Sequence, residues 1–306
     1  MNYPEPLKKG DLVALVAPSS PVPPAKAEAA RALFKGWGYR VRMSSLVHTP
    51  LHGYEAGAPE ARLKELNGAF ADPEVRGVFC LRGGDSSCRL LPGLDLEAVR
   101  ANPKIFVGYS DITPLHWLFN QRADLVTFHG PMVVANMLTH FDPYTEESLW
   151  RTLSLGPGER LDFRNPEGFE METVRGGVAE GPLTGGNLAL MTSLLGTPWE
   201  IDTRGKILLI EDIYENVTRV ARMLYHLRYA GKLDDAAGVL TGDFSDCVNK
   251  AEPEWGSREL IRDFFRDYDK PVIAGVKSSH DFPMGTMPLG AVCRVDAGAR
   301  QVSFLR

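Results

Sequence analysis

Short β-branched apolar runs alternate with stretches of helical periodicity through the first part of the chain, and few architectures accept that order. Residues 11–17 (DLVALVA) read as a strand that stops at Pro18-Ser19-Ser20-Pro21. Residues 26–37 repeat apolar side chains at helical spacing, and Gly38 closes them as a C-cap. Residues 39–43 (YRVRM) alternate as a second strand. Residues 60–70 place Ala61, Leu63, Leu66 and Phe70 on one helical face. Residues 75–81 (VRGVFCL) and 105–107 (IFV) add two further strands. Strands feeding helices in this way predict an α/β fold, a parallel sheet covered on both faces. Sites in such sheets lie beyond the C-terminal strand ends. Loops 18–21, 82–85 and 108–111 therefore converge on one rim.

The last of these strands opens residues 104–119 (KIFVGYSDITPLHWLF), the stretch richest in chemical content. Gly108, Tyr109, Ser110 and Asp111 follow the strand. Thr113-Pro114 reads as an N-cap followed by proline at the first helical position, and Leu115, Leu118 and Phe119 continue at helical spacing. Ser110 is thus predicted on a sharp strand-to-helix turn. Such a turn pushes a hydroxyl out of the backbone and aims a helix N-terminus at whatever binds there, the physics of a nucleophile elbow. Strand-Gly-x-Ser-x turns also occur without chemistry, so the rest of the chain must decide.

At 306 residues, the chain has room for two domains and for sizeable cores without staples. A net charge of −5, with no basic run, argues against nucleic acid as a partner. No apolar stretch approaches a membrane span, and MNYPEPLKKGD lacks the basic-then-apolar signal pattern, so the expected compartment is the cytoplasm. Cys80, Cys88, Cys247 and Cys293 show no CxxC spacing and fit buried thiols in a reducing compartment.

Residues 155–175 (LGPGERLDFRNPEGFEMETVR) are rich in Gly, Pro and charge and lack helical period. They read as a linker between an N-terminal α/β domain, 1–154, and a C-terminal domain, 176–306. Within the latter, 181–195 (GPLTGGNLALMTSLL) suggests a Gly-rich turn entering a helix. Residues 206–210 (KILLI) suggest a buried strand ending at Glu211. Residues 217–227 form an amphipathic helix closed by Gly231; 238–244 and 272–276 are strands, and 291–305 a closing hairpin.

Several residues could carry chemistry. Arg82-Gly83-Gly84 follows a strand, and its glycines let backbone N–H groups approach a ligand. The loop lacks the GxxxxGK[ST] or GxGxxG pattern of a phosphate site. Glu211 ends a buried strand, where a carboxylate is usually paired or in a site. Asp212 and Glu215 beside it fit a helix N-terminal charge and a solvated face. His280 lies in loop-rich GVKSSHDFPMGTMPLG, while His129 in Phe128-His129-Gly130-Pro131 could instead be the base. Pro50 separates His48 from His52, against helical metal-ligand geometry, and His116 and His226 fall in predicted helices. No HExxH or clustered Asp/His pattern points to a metal.

Taken together these fragments resemble the LD-carboxypeptidases, serine peptidases that trim murein tetrapeptides and include the microcin C immunity peptidases. The resemblance runs nearly end to end. It includes Ala17-Pro18-Ser19-Ser20, Arg82-Gly83-Gly84, Arg89-Leu90-Leu91, Pro103-Lys104 and Gly108-Tyr109-Ser110-Asp111. It continues through Phe128-His129-Gly130-Pro131, Gly185-Gly186-Asn187, Leu195-Gly196-Thr197-Pro198, Ile210-Glu211-Asp212 and Pro288-Leu289-Gly290. Their order and spacing are specific where each alone is not. The resemblance implies a Rossmann-like N-terminal domain, a smaller β-rich C-terminal domain and a site between them. It implies Ser110 as nucleophile, His280 as base and Glu211 as the acid orienting it, a chain order compatible with triad logic. The N–H groups of Gly84 and Asp111 are the expected oxyanion hole.

The implied reaction is hydrolysis of an L,D-amide bond, releasing terminal D-alanine from a murein tetrapeptide during cell-wall recycling, with no metal or organic cofactor. The partner is a small peptide or muropeptide, with neither nucleic acid nor membrane, and a homodimer is left open. Three departures bear on substrate: Asp85-Ser86 stand where the family commonly has Tyr-Gly, Ser279 where it has Gly, and Ala221 where it has Asp. The alternatives are an immunity-type peptidase cleaving peptidyl- or aminoacyl-nucleotide conjugates, a binding homologue without turnover, and a glutamine-amidotransferase-like enzyme. Serine in place of cysteine at the elbow counts against the last.

Overall fold

The computed structural model describes residues 1–306. Its first half interleaves strands β1 (Leu12–Val16), β2 (Arg40–Met43), β3 (Val75–Cys80), β4 (Ile105–Gly108) and β5 (Thr127–His129) with helices α1 (Pro24–Gly36), α2 (Pro59–Ala71), α3 (Leu96–Ala101) and α4 (Thr113–Ala123). The strands run parallel in the order β5-β4-β3-β1-β2, as strand–helix alternation requires. Proline occupies the first turn of α1, α2 and α4, where its missing N–H costs nothing and its fixed φ suits the helix. Ile105, Phe106, Val107 and Gly108 are all buried, so the strand leading to Ser110 is covered on both faces.

After α5 (Pro143–Leu153) come β6 (Arg160–Phe163), β7 (Glu172–Arg175), β8 (Val178–Asn187), β9 (Ile207–Ile213), β10 (Gly238–Ser245), β11 (Val272–Ala274), β12 (Met287–Leu289), β13 (Val292–Asp296) and β14 (Gln301–Leu305). Four helices intervene: α6 (Leu188–Ser193), α7 (Val217–Tyr229), α8 (Lys232–Asp235) and α9 (Ser257–Phe264). The second sheet has eight strands in the order β6-β14-β13-β8-β9-β10-β11-β7. Strands β8 to β11 are mutually parallel, and antiparallel strands extend the sheet on both sides. The hairpin expected at 291–305 is β13 with β14.

Of the cysteines expected to be buried, Cys80, Cys247 and Cys293 are, but Cys88 is exposed, and three further sequence expectations need correcting. Residues 155–175 are more than a linker, because they contain β6 and β7, the two edge strands of the second sheet. Edge strands are short and tolerate breakers, so their Gly, Pro and charge hide the pairing. Residues 181–187 are the second part of the ten-residue strand β8 rather than a turn. Their glycines mark close approach of a neighbouring strand: a Cβ on Gly185 would lie 2.1 Å from Leu209 O. Strand β9 runs on to Ile213, so Glu211 sits inside it, fully buried, and not at its end.

The two halves interlock. Strand β12 comes from the second half of the chain but pairs antiparallel with β5, completing the first sheet. One continuous core joins Leu115, Trp117 and Leu118 of α4 to Leu188, Met191 and Ile210 of the second half. Trp117 Nε1 donates to Trp199 O at 2.9 Å across the same seam. The C-terminal ends of β4 and β9 are thereby held facing each other.

Candidate active site

Ser110 has φ 62°, in the left-handed region that a non-glycine residue rarely adopts. Strand β4 ends at Gly108, a single helical turn covers Ser110–Ile112, and α4 follows at once. Backbone strain at this junction throws the hydroxyl outward, as an elbow should. The Thr113 hydroxyl was expected to cap the helix; instead it donates to Ser110 O at 2.6 Å and accepts from Asn187 N at 3.3 Å. It therefore ties the elbow to the end of β8. His116 Nε2 bonds Gly108 O at 2.9 Å, a second brace, and burial lowers its pKa to about 4, so the ring is a neutral donor there.

The structure brings Ser110, His280 and Glu211 together. His280 Nε2 lies 2.8 Å from Ser110 Oγ, and His280 Nδ1 lies 2.6 Å from Glu211 Oε2. Glu211 is fully buried, while the His280 side chain is 10% exposed. The His280 ring also packs edge-on against Tyr109, with centroids 4.8 Å apart. Burial opposes charge on His280, but the Coulomb field of Glu211 and the hydrogen bond to it outweigh burial and raise the imidazole pKa. A neutral ring in this setting donates from Nδ1 to Glu211 and accepts at Nε2 from the serine.

His129, the rival base, is fully buried behind Tyr109, with ring centroids 5.8 Å apart, and burial holds its pKa well below the usual imidazole value. The imidazole on Ser110 is that of His280. His48, His52 and His226 are exposed away from these contacts. Asp212 is buried and accepts from Asn187 Nδ2, Ala189 N and Ile213 N at 2.8–3.0 Å, joining β9 to the start of α6. Burial, then the Glu211 charge, push its pKa up to about 6. Glu215 pairs with Arg219 at 3.3 Å on the helix surface.

The expected oxyanion donors lie on a loop locked to the elbow. Gly84 has φ 149°, and a Cβ there would lie 2.0 Å from Ser20 Oγ. Only glycine lets 82–85 approach so closely. A Cβ on Gly83 would sit 3.2 Å from Ser110 Cβ, so this backbone already touches the serine. Asp111 is buried; Ser19 Oγ donates to its carboxylate at 2.5 Å, Ser86 N at 2.9 Å and Ser87 N at 2.8 Å. Burial raises the Asp111 pKa against the pull of these donors. Sequence reasoning missed Ser19, Ser86 and Ser87 as the partners of Asp111, because small hydroxyl residues in loops carry no distinguishing pattern. Ser86 is buried, with its Oγ accepting from Arg62 Nη1 at 2.8 Å, whereas Asp85 is exposed at the rim. Ser279 hydrogen-bonds Asp243 at 2.8 Å.

The family model for the LD-carboxypeptidase N-terminal domain matches residues 13–130, and that for the C-terminal domain matches residues 180–295. A probable murein peptide carboxypeptidase of Bacillus subtilis is 41% identical, with 95% of this chain and 91% of that protein covered. The chain belongs to the LD-carboxypeptidase family. Like other members it is a serine-type carboxypeptidase. The solved muramoyltetrapeptide carboxypeptidase of Oxalobacter formigenes superposes with TM-score 0.83 at 27% identity, covering 96% of this chain and 97% of that one. The microcin C7 self-immunity protein MccF of Escherichia coli is 28% identical over 98% of this chain and 94% of its own length. MccF solved in complex with aspartyl sulfamoyl adenosine superposes with TM-score 0.90 at 25% identity, covering 100% of this chain and 99% of that one. No helix is long and apolar enough to cross a membrane.

Proposed function

We propose that this LD-carboxypeptidase releases terminal D-alanine from murein tetrapeptide, with Ser110 as nucleophile, His280 as general base and then acid, and Glu211 as the residue that orients and charges His280. The reading rests on one observation: an imidazole at 2.8 Å from a serine held at positive φ, with a buried carboxylate 2.6 Å behind it. His280 takes the Ser110 proton as Oγ attacks the L,D-amide carbonyl. The oxyanion forms against the N–H groups of Gly84 and Asp111; one such donor is worth about 3 kcal/mol of barrier. His280 returns its proton to the departing amine, D-alanine leaves, and water attacks the acyl-enzyme by the same base. Glu211 holds Nδ1–H and stabilises the imidazolium that forms at each attack.

A Bacillus subtilis relative 41% identical over 95% of this chain carries the name probable murein peptide carboxypeptidase, which supports cell-wall recycling in the cytoplasm over nucleotide-conjugate cleavage. Residues 1–154 supply Ser110 and residues 176–306 supply Glu211 and His280. Purified Ser110→Ala, assayed for D-alanine release from murein tetrapeptide, should lose at least about a thousandfold in kcat while keeping its fold. Release at the wild-type rate sinks the assignment. An aminoacyl sulfamoyl adenosine cleaved faster than tetrapeptide transfers the chemistry to the immunity branch.

A further inference from the structure

Glu211 aims the His280 ring, but it does not hold the backbone that carries the ring. Residues 275–286 contain no helix or strand. Backbone hydrogen bonds fix this loop near its ends: Val276 N to Thr241 O at 3.0 Å, and Gly285 N to Lys277 O at 2.5 Å. Around the histidine itself, side chains do the holding. Ser279 Oγ donates to Asp243 Oδ2 at 2.8 Å. Lys277 Nζ donates to the same oxygen at 2.8 Å and reaches Asp281 Oδ2 at 3.3 Å. The residues immediately before and after His280 are therefore tied to each other through one carboxylate and one ammonium. Lys277 is 3% exposed and its ammonium lies 4.7 Å from the Phe169 ring centroid, so little room remains for it to move.

Asp243 follows Gly242 on β10. A Cβ on Gly242 would lie 3.0 Å from Glu211 Cβ and 3.1 Å from Ser279 Cβ. The backbone of β10 thus touches both the acid's strand and the histidine's loop, and the next side chain along pins that loop. Strand β10 contributes nothing to the triad, yet it sets the spacing between two of its members.

We propose that Asp243 and Lys277 are positioning residues that clamp the chain on either side of His280 and hold Nε2 in line with Ser110 Oγ. The proposal rests on the triad reading above. Nucleophile and base must meet in a narrow geometry, and a displacement of about 1 Å can cost about a hundredfold in rate. Neither residue reaches Ser110, so both act through the histidine loop.

The test compares wild type with Asp243→Ala, Ser279→Ala and the double variant. Four quantities are measured: the thermal midpoint, kcat and KM for D-alanine release, and the rate at which a fluorophosphonate labels Ser110. The label needs the serine–histidine pair and no murein recognition. Asp243→Ala should lower both kcat and the labelling rate at least tenfold with KM within twofold. The double variant should be no slower than Asp243→Ala, because both changes remove one tie. A folded Asp243→Ala enzyme labelled at the wild-type rate overturns the proposal. If Asp243→Ala does not fold, Ser279→Ala carries the test: labelling at least threefold slower supports the clamp, and an unchanged rate overturns it. Wild type that labels but releases no D-alanine faults the murein substrate, and the clamp is still decided by the label. Wild type that does neither overturns triad and clamp together.

Discussion

At the scale of single residues, the charge on His280 is the quantity most directly open to measurement. Its ordinary pKa of about 6.5 is lowered by burial and raised, by more, by Glu211. The base must be neutral to accept the serine proton, so activity rises with pH through the pKa of His280. The acid limb of kcat/KM should therefore lie above the ordinary imidazole value. In Glu211→Gln the largest attraction is gone while burial and the weaker pull of Asp212 remain, so the limb should shift to lower pH than in the wild type. The plateau should also fall by about 10³- to 10⁴-fold, as when a triad acid is neutralised elsewhere. A pH–rate profile of the two enzymes checks both signs. A limb that stays put in Glu211→Gln would mean that this carboxylate does not charge the imidazole.

At the scale of elements, the elbow and the second sheet communicate through a threonine. Thr113 bonds Ser110 O on one side and Asn187 N on the other. Asn187 is the last residue of β8 and lies in register with Glu211 on β9. The serine's turn and the acid's strand are thus linked through one buried hydroxyl. Thr113→Val keeps the shape and leaves a buried carbonyl and a buried N–H without that partner, which should cost about 1–3 kcal/mol of stability. Denaturant unfolding measures that loss, and kcat should fall with it while KM holds. Strand β10 plays a parallel part on the other side of Glu211, through Gly242 and Asp243.

At the scale of the whole molecule, the site needs both halves, and the packing makes them inseparable. Strand β12 closes the first sheet from the second half of the sequence, and α4 shares its core with α6 and β9. Calorimetry of the full chain should therefore show one cooperative transition, with calorimetric and van't Hoff enthalpies in agreement. Two resolved transitions would mean that the seam at Trp117 and Trp199 contributes little.

Much of this is legible in the sequence. Apolar runs of period two and helical faces of period near 3.6 are local signals, and they located the parallel strands, the helices between them and the serine's turn. Ser110, Glu211 and His280 come from the family resemblance that the ordered motifs carry, whereas the residues by themselves leave His129 and His280 both open as the base. The same local reading failed where pairing is decided at a distance. Strands β6 and β7 look like linker because an edge strand needs only a neighbour, not a hydrophobic pattern. The glycines of β8 look like a turn because the strand that crowds them is remote in sequence. Asp243 and Lys277 stand in no motif, since nothing near them in the chain announces the histidine loop they brace. Sequence alone determined which chemistry the chain carries and on which kinds of element. Tertiary structure alone decided that an imidazole from residue 280 meets a hydroxyl from residue 110, because that meeting depends on long-range burial and strand exchange, which no local pattern encodes.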